Sequence, residues 1–284
     1  MMELLQVSDW RRTLGYLPVP LREDATEQRR TDEVLLEGAV KEALIRLNPE
    51  IEADTRKADE VIHTLRAILI SARTTPHPVV SNEEFIAWLT GQKSMPFGSD
   101  GEHTTVRLVD FDHPEDDSSN QWMISTEVTY QIGRVSRRFD LVLWCNGFPL
   151  VIGEAKTPIR AAYSWIDGAA QVHDDYEASV PQFFVPNVFS FATEGKDLRY
   201  GTVGMPVELW GPWREEDADP GAPAKVGLEV VQDAVNGVLK PAAVLDFLRF
   251  FTVYGPWGRP DGALEVFGVD ATFFASQDDT RLVA

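Results

Sequence analysis

The run from Arg138 to Pro158 constrains this chain more than any other: Arg-Phe-Asp-Leu-Val-Leu-Trp-Cys-Asn-Gly-Phe-Pro-Leu-Val-Ile-Gly-Glu-Ala-Lys-Thr-Pro. It reads as two apolar strands joined at a turn. Three ionisable residues, Asp140, Glu154 and Lys156, interrupt the apolar runs. Charged side chains are rarely buried without a partner or a task. Two carboxylates and an ammonium facing one another suit a divalent cation and a phosphate.

That reading makes a geometric demand. Side chains alternate along a strand, so Glu154 and Lys156 share a face. Asp140 must join them from the neighbouring strand. With Asn146-Gly147 as the whole connection, Asp140 would oppose Gly153 and Glu154 would point away. An odd loop or one bulge puts Asp140 opposite Glu154 instead. Pro149 argues for such an irregularity, because it lacks the N–H that a ladder needs. The expectation is therefore a connection that is not a simple two-residue hairpin.

In that arrangement Asp140 and Glu154 are the candidate ligands of one Mg²⁺, with Mn²⁺ as a substitute and several waters retained. The backbone carbonyl of Ala155 is a further candidate oxygen. Lys156 would stabilise developing negative charge or orient a water. The competing reading is a buried salt bridge between Lys156 and Glu154 or Asp140.

Composition bounds the alternatives. The chain has 284 residues, enough for one large domain or two small ones. The lone Cys145 excludes a disulfide framework and a Cys-rich zinc site, and fits a packed thiol in a reducing, cytoplasmic setting. No basic segment followed by an apolar core opens the sequence, and no apolar run approaches a membrane span. The formal net charge of −19 is unusual for a nucleic-acid binder. The basic residues nevertheless gather around the candidate site, as Arg134, Arg137, Arg138, Lys156 and Arg160, whereas acids collect at 113–117 and 215–219.

Periodicity predicts helices over 32–47, 56–72 and 81–90, the last with Ser81 to Glu84 as a capping box. Strands are expected at 104–109, 121–130, 139–145, 150–155, 183–193, 198–203 and 207–209. A helix is expected over 160–176, a linker at 211–225, and helices again at 228–239 and 241–251. This is an α/β arrangement: a central mixed sheet flanked by helices. An N-terminal extension (1–31), a main domain (32–254, core about 100–210) and a tail (255–284) are the expected divisions.

These residues resemble a known family. Asp140 followed by Glu154-Ala155-Lys156 resembles the Asp…Glu-x-Lys core of the PD-(D/E)xK nucleases. The wider run 139–158 is similar to the N-terminal nuclease domain of type I restriction enzyme R (HsdR) subunits. Flanking stretches agree: 34–49, 109–114, and 176–202, which includes Pro181-Gln-Phe-Phe184 and Phe191-Ala-Thr-Glu-Gly195. The likeness covers roughly residues 30–250 and implies a restriction-endonuclease-like fold. It also implies double-stranded DNA as substrate, with specificity and methylation subunits as partners.

The resemblance marks further residues. Gln171 and Tyr176 match a supporting Gln and Tyr, with one residue more between them than the family's Gln-x-x-x-Tyr. Glu37, with Glu33 as runner-up, matches a first-helix Glu that often serves as an extra metal ligand or a base-orienting group. Arg134, Arg137, Arg138 and Arg160 are the candidate DNA contacts. Phe139 replaces the Pro that usually precedes the aspartate. No phosphate-loop motif occurs, so ATP is expected only through a motor domain absent from this chain. A nuclease-like module that binds DNA or subunits without cutting is the alternative. A carboxylate-pair glycosidase, which would not need the lysine, is a third reading.

Overall fold

The computed structural model describes residues 17–18, 29–75, 78–114, 118–157, 164–213, 226–256 and 264–267. Its centre is a seven-stranded mixed sheet. The strands are β1 (Leu17–Pro18), β4 (Trp122–Ile132), β5 (Val135–Cys145), β6 (Phe148–Ala155), β7 (Phe189–Thr193), β8 (Leu198–Gly201) and β9 (Gly211–Pro212), adjacent in that order. Two pairs, β1–β4 and β6–β7, are parallel and the rest antiparallel. Helices flank the sheet, so the α/β expectation holds. Among the described residues no helix is long and apolar enough to cross a membrane.

The central hairpin corrects one expectation and keeps its purpose. Asn146 and Gly147 do form a two-residue turn, with φ of +50° and +84°. Those signs suit the right-handed twist of the strands it joins. Cys145 pairs with Phe148 and Trp144 with Pro149, after which the register shifts so that Leu143 pairs with Val151 and Leu141 with Gly153. Leu150 is the extra residue of a bulge. Pro149 fits because the pair beyond the closing pair of such a turn exchanges no backbone hydrogen bonds. The irregularity therefore lies one step inside the strand. Continued by one residue, the shifted register sets Asp140 across from Glu154.

On the N-terminal side, α1 (Glu37–Leu47), α2 (Pro49–Ala53), α3 (Arg56–Ser71) and α4 (Pro78–Leu89) follow one another closely. Val40 and Leu44 of α1, Val61 and Leu65 of α3, and Phe85 of α4 are all buried. The expected capping box is not a cap, because α4 starts at Pro78, a residue suited to a first helical turn. Ser81 and Asn82 are buried inside it. Asn82 Nδ2 instead donates to the carbonyls of Val185 and Asn187 at 2.9 Å.

Three predicted strands also change. Only Thr104–Thr105 of 104–109 is strand (β3), paired with Ser94–Met95 (β2). Beyond it Asn48 replaces a ladder, accepting from the Arg107 N–H and donating to its carbonyl, both at 2.8 Å. Pro181 starts a short helix, Pro181–Phe184, so the strand begins at Phe189. Val207–Leu209 is a single tight helical turn. The helices Leu228–Val238 and Pro241–Asp246 appear as expected, and β10 (Val253–Pro256) pairs with β11 (Leu264–Phe267). Most of 1–31, the linker from 214 and nearly all of the tail lie outside the described residues.

Candidate active site

The site is built where strands β5 and β6 part. The ladder runs to Leu141–Gly153 and stops. The Ala155 N–H, which a regular ladder would give to a backbone carbonyl, is donated to Asp140 Oδ2 at 2.9 Å. One carboxylate oxygen thus substitutes for main chain and holds Asp140 against the end of β6. Glu154 faces it across the gap and is 4 % exposed.

Lys156 joins them as its spacing requires. Its Nζ lies 2.9 Å from Glu154 Oε1. The same Nζ donates to Gln171 Oε1, and Gln171 Nε2 donates to the Tyr176 hydroxyl. Tyr176 donates in turn to the Arg138 carbonyl at 3.1 Å. A continuous chain of hydrogen bonds therefore runs from Glu154 through Lys156, Gln171 and Tyr176 back to β5.

Backbone geometry explains how the longer spacing of Gln171 and Tyr176 is met. The crossover helix starts at Ser164, whose side chain accepts from Ile166 N–H while Asp167 accepts from the Ser164 N–H. It runs as α-helix to Ala170 and then as one π-helical turn, Gln171–Tyr176. In a π-turn residues five apart take the places that residues four apart take in an α-helix. The extra residue is absorbed, and the two side chains meet. Gly168 lets this helix approach the sheet, since a β-carbon there would stand 3.1 Å from Ala192 Cβ and 3.5 Å from Glu154 Cγ.

The electrostatics suit a cation. Burial and the nearby Asp140 charge push the Glu154 carboxyl up to about 7, against the pull of Lys156 and Arg138. Glu154 Oε2 is buried without a hydrogen-bond partner. A divalent ion between the carboxylates would offset both costs, so the residues fit the Mg²⁺ expected from the sequence. Among the described residues no group of three or more His, Cys, Asp or Glu is arranged to hold a metal. Two carboxylates would be the donor set for such an ion, in keeping with the sparse protein ligation of Mg²⁺.

Other expected residues are placed differently. Glu37 does not make a third carboxylate here. Its two oxygens take the Nε and Nη2 of Arg66. Glu33, the runner-up, accepts from the Arg30 N–H at 3.3 Å. Arg134 lies exposed in the β4–β5 turn. Arg137 is committed to Asp175 at 2.6 Å and Ser179 at 3.1 Å. Arg138 projects near the site, 3.5 Å from Glu127. Arg160 lies outside the described residues. The Ala155 N–H is engaged at the site by Asp140. Cys145 is buried and free, with its thiol pushed up by burial.

Sequence reasoning missed Gly168, Glu177 and Glu127. Glu177 is fully buried and accepts from Gly204 N–H at 2.9 Å, pinning the crossover helix beyond Tyr176. Ser-x-x-Asp at Ser164–Asp167 was a readable helix start.

Comparison with known proteins gives the family. The family model described as "Type I restriction enzyme R protein N terminus" matches residues 2–206. The chain is 23 % identical over 256 residues to the type I restriction enzyme HindI endonuclease subunit of Haemophilus influenzae, covering 89 % of this chain and 23 % of that protein. It is 26 % identical over 161 residues to the "Putative type I restriction enzyme MjaVIIP endonuclease subunit" of Methanocaldococcus jannaschii, covering 54 % of this chain and 14 % of that one. The chain spans less than a quarter of the length of these relatives.

Proposed function

The chain belongs to the family of type I restriction enzyme R protein N-termini, and from that premise we propose that it is a Mg²⁺-dependent DNA endonuclease domain. The observation that carries this reading is the convergence of Asp140, Glu154 and Lys156 through one bulge, with Glu154 Oε2 left buried and unpartnered.

Asp140 and Glu154 would hold the ion, with the Ala155 carbonyl as an optional third oxygen. Bound there, Mg²⁺ supplies positive charge against a phosphate and acidifies a water. Lys156 stands beside Glu154 to stabilise charge developing on the phosphate or to orient the attacking water. Gln171 holds the lysine and Tyr176 holds Gln171, so the ammonium is kept in place before substrate arrives. Arg134, Arg138 and Arg160 are the proposed contacts to backbone phosphates; Arg134 and Arg138 are exposed. Arg137 would have to leave Asp175 to serve. Double-stranded DNA is the proposed substrate, and specificity and methylation subunits the proposed partners. ATP use would belong to a motor outside this sequence.

One observation favours a second reading. Lys156 already neutralises Glu154, the arrangement of a non-catalytic, nuclease-like module that binds DNA or subunits. Calorimetric Mn²⁺ binding, wild type against Asp140→Ala, separates the two. Binding lost in the variant supports the nuclease, and plasmid nicking in Mn²⁺ then tests cleavage. No binding by the wild type supports the module.

A further inference from the structure

Asp140 has an acidic neighbour on each side. Glu154 lies across from it on β6, and the β4–β5 register assigns Glu127 to the opposite side. Thr126 pairs with Leu141 and Val128 with Phe139, but the ladder is interrupted between them, at Glu127. There the backbone takes φ +56° in the middle of an eleven-residue strand. A β-carbon disfavours that left-handed region, and Glu lacks the short side chain with which Asn or Asp relieves it locally. Such outliers persist only where the surroundings enforce them, and they gather at functional sites.

The strained residue spends its carboxylate on Arg138, with Oε1 3.5 Å from Nη1 and both side chains more than half exposed. Arg138 is otherwise tied to the site, since its carbonyl takes the Tyr176 hydroxyl. Its guanidinium is among the charges that favour ionised Glu154. An exposed pair at that distance is weak and exchangeable. A phosphate offers a guanidinium a stronger, bidentate partner.

We propose that Glu127 is a positioning residue, which parks Arg138 beside the Asp140–Glu154 pair and yields it to a backbone phosphate when DNA enters. The inference rests on the nuclease reading above. Before DNA arrives, the Glu127 carboxylate holds the guanidinium there. Once Arg138 turns to a phosphate, Glu127 is left to solvent.

The test is binding of a 30-base-pair duplex to the whole chain, read by fluorescence anisotropy over a salt series with calcium present. Glu127→Gln should tighten binding about three- to tenfold by freeing Arg138. Arg138→Gln should weaken it and lower the salt slope by about one. In the double variant the gain from Glu127→Gln should vanish. A gain that persists undiminished without Arg138, or no gain in the single variant, overturns the proposal while leaving the nuclease reading intact. No duplex binding by the wild type overturns both. Glu127→Gly, which accepts φ +56°, should raise the thermal midpoint by about 2 °C. A fall shows that the conformation is not stored strain and overturns the proposal on that ground.

Discussion

Two buried glutamates of this fold differ in kind. Glu154, at the end of β6, has Asp140 across from it, Lys156 bonded to one oxygen, and the other oxygen orphaned. Glu177, on the crossover helix, accepts from the Gly204 N–H with one oxygen, and its other oxygen is likewise without a partner. Burial raises both, Glu154 to about 7 and Glu177 to about 8. The difference lies in what could relieve them. Glu154 sits among partners that make it ready for a cation. Glu177 is sealed, with Asp174 adding a like charge, and its lowest-cost state is a neutral acid. A raised carboxyl alone therefore marks no active site; the surrounding partners decide.

The largest effect that tests this contrast is on metal affinity. Glu154→Gln and Asp140→Ala should each weaken Mn²⁺ binding by more than about 100-fold in calorimetry. Glu177→Gln should leave it within about twofold. At 100 times its dissociation constant, the metal should stabilise wild type by about 2.7 kcal/mol and the Glu154 variant not at all. Equal losses at Glu154 and Glu177 would erase the distinction between them.

Stability should respond in the reverse order. Glu177→Ala leaves the part-buried Gly204 N–H without its acceptor and should cost about 1 kcal/mol or more in denaturant unfolding. Glu154→Gln removes a buried charge crowded by Asp140 and should cost less than Glu177→Ala, because Lys156 keeps a hydrogen-bond acceptor.

The pH dependence follows from the same two groups. A carboxyl whose folded value is raised binds a proton more tightly in the folded state. Its contribution is complete below the unfolded value near 4.5 and is lost as pH rises through the folded value. Without metal, stability should therefore fall between about pH 4.5 and 8, by on the order of several kcal/mol. Glu177→Gln, neutral at every pH, should flatten the upper part of that fall. Saturating Mn²⁺ should flatten the part due to Glu154. A stability that rises across this window would refute both assignments.

Much of this was readable in the residues. Alternation placed Glu154 and Lys156 together, and Pro149 signalled that the strand register had to slip. An odd loop or one bulge was expected, and the bulge occurs, at Leu150, because the Asn-Gly turn is good enough to close on its own. Glu37 went to Arg66 because pairing depends on how α1 and α3 pack, which no local pattern encodes. Glu127 was invisible for a similar reason: a left-handed residue without Gly, Asn or Asp leaves no mark in sequence. Phe183 and Phe184 read as strand because aromatic residues favour strands, yet Pro181 started a helix one turn earlier.

The extra residue between Gln171 and Tyr176 was also legible, but its consequence was not. Spacing alone turns Tyr176 about 100° away from Gln171 relative to a four-residue interval on an α-helix. The π-turn cancels that rotation. Deleting Asp174, whose side chain is 71 % exposed, should let the segment close as ordinary α-helix with the two residues four apart. The downstream chain, with Glu177 and its Gly204 contact, keeps its place because the deletion removes the residue that the bulge accommodates. Unfolding free energy should change by less than about 1 kcal/mol, and Mn²⁺ affinity by less than about threefold. Gln171→Ala is the reference, since it cuts the link between Lys156 and Tyr176 outright and should cost about tenfold in affinity. If the deletion is as damaging as Gln171→Ala, the π-turn itself, rather than the contact it restores, holds Lys156 against Glu154.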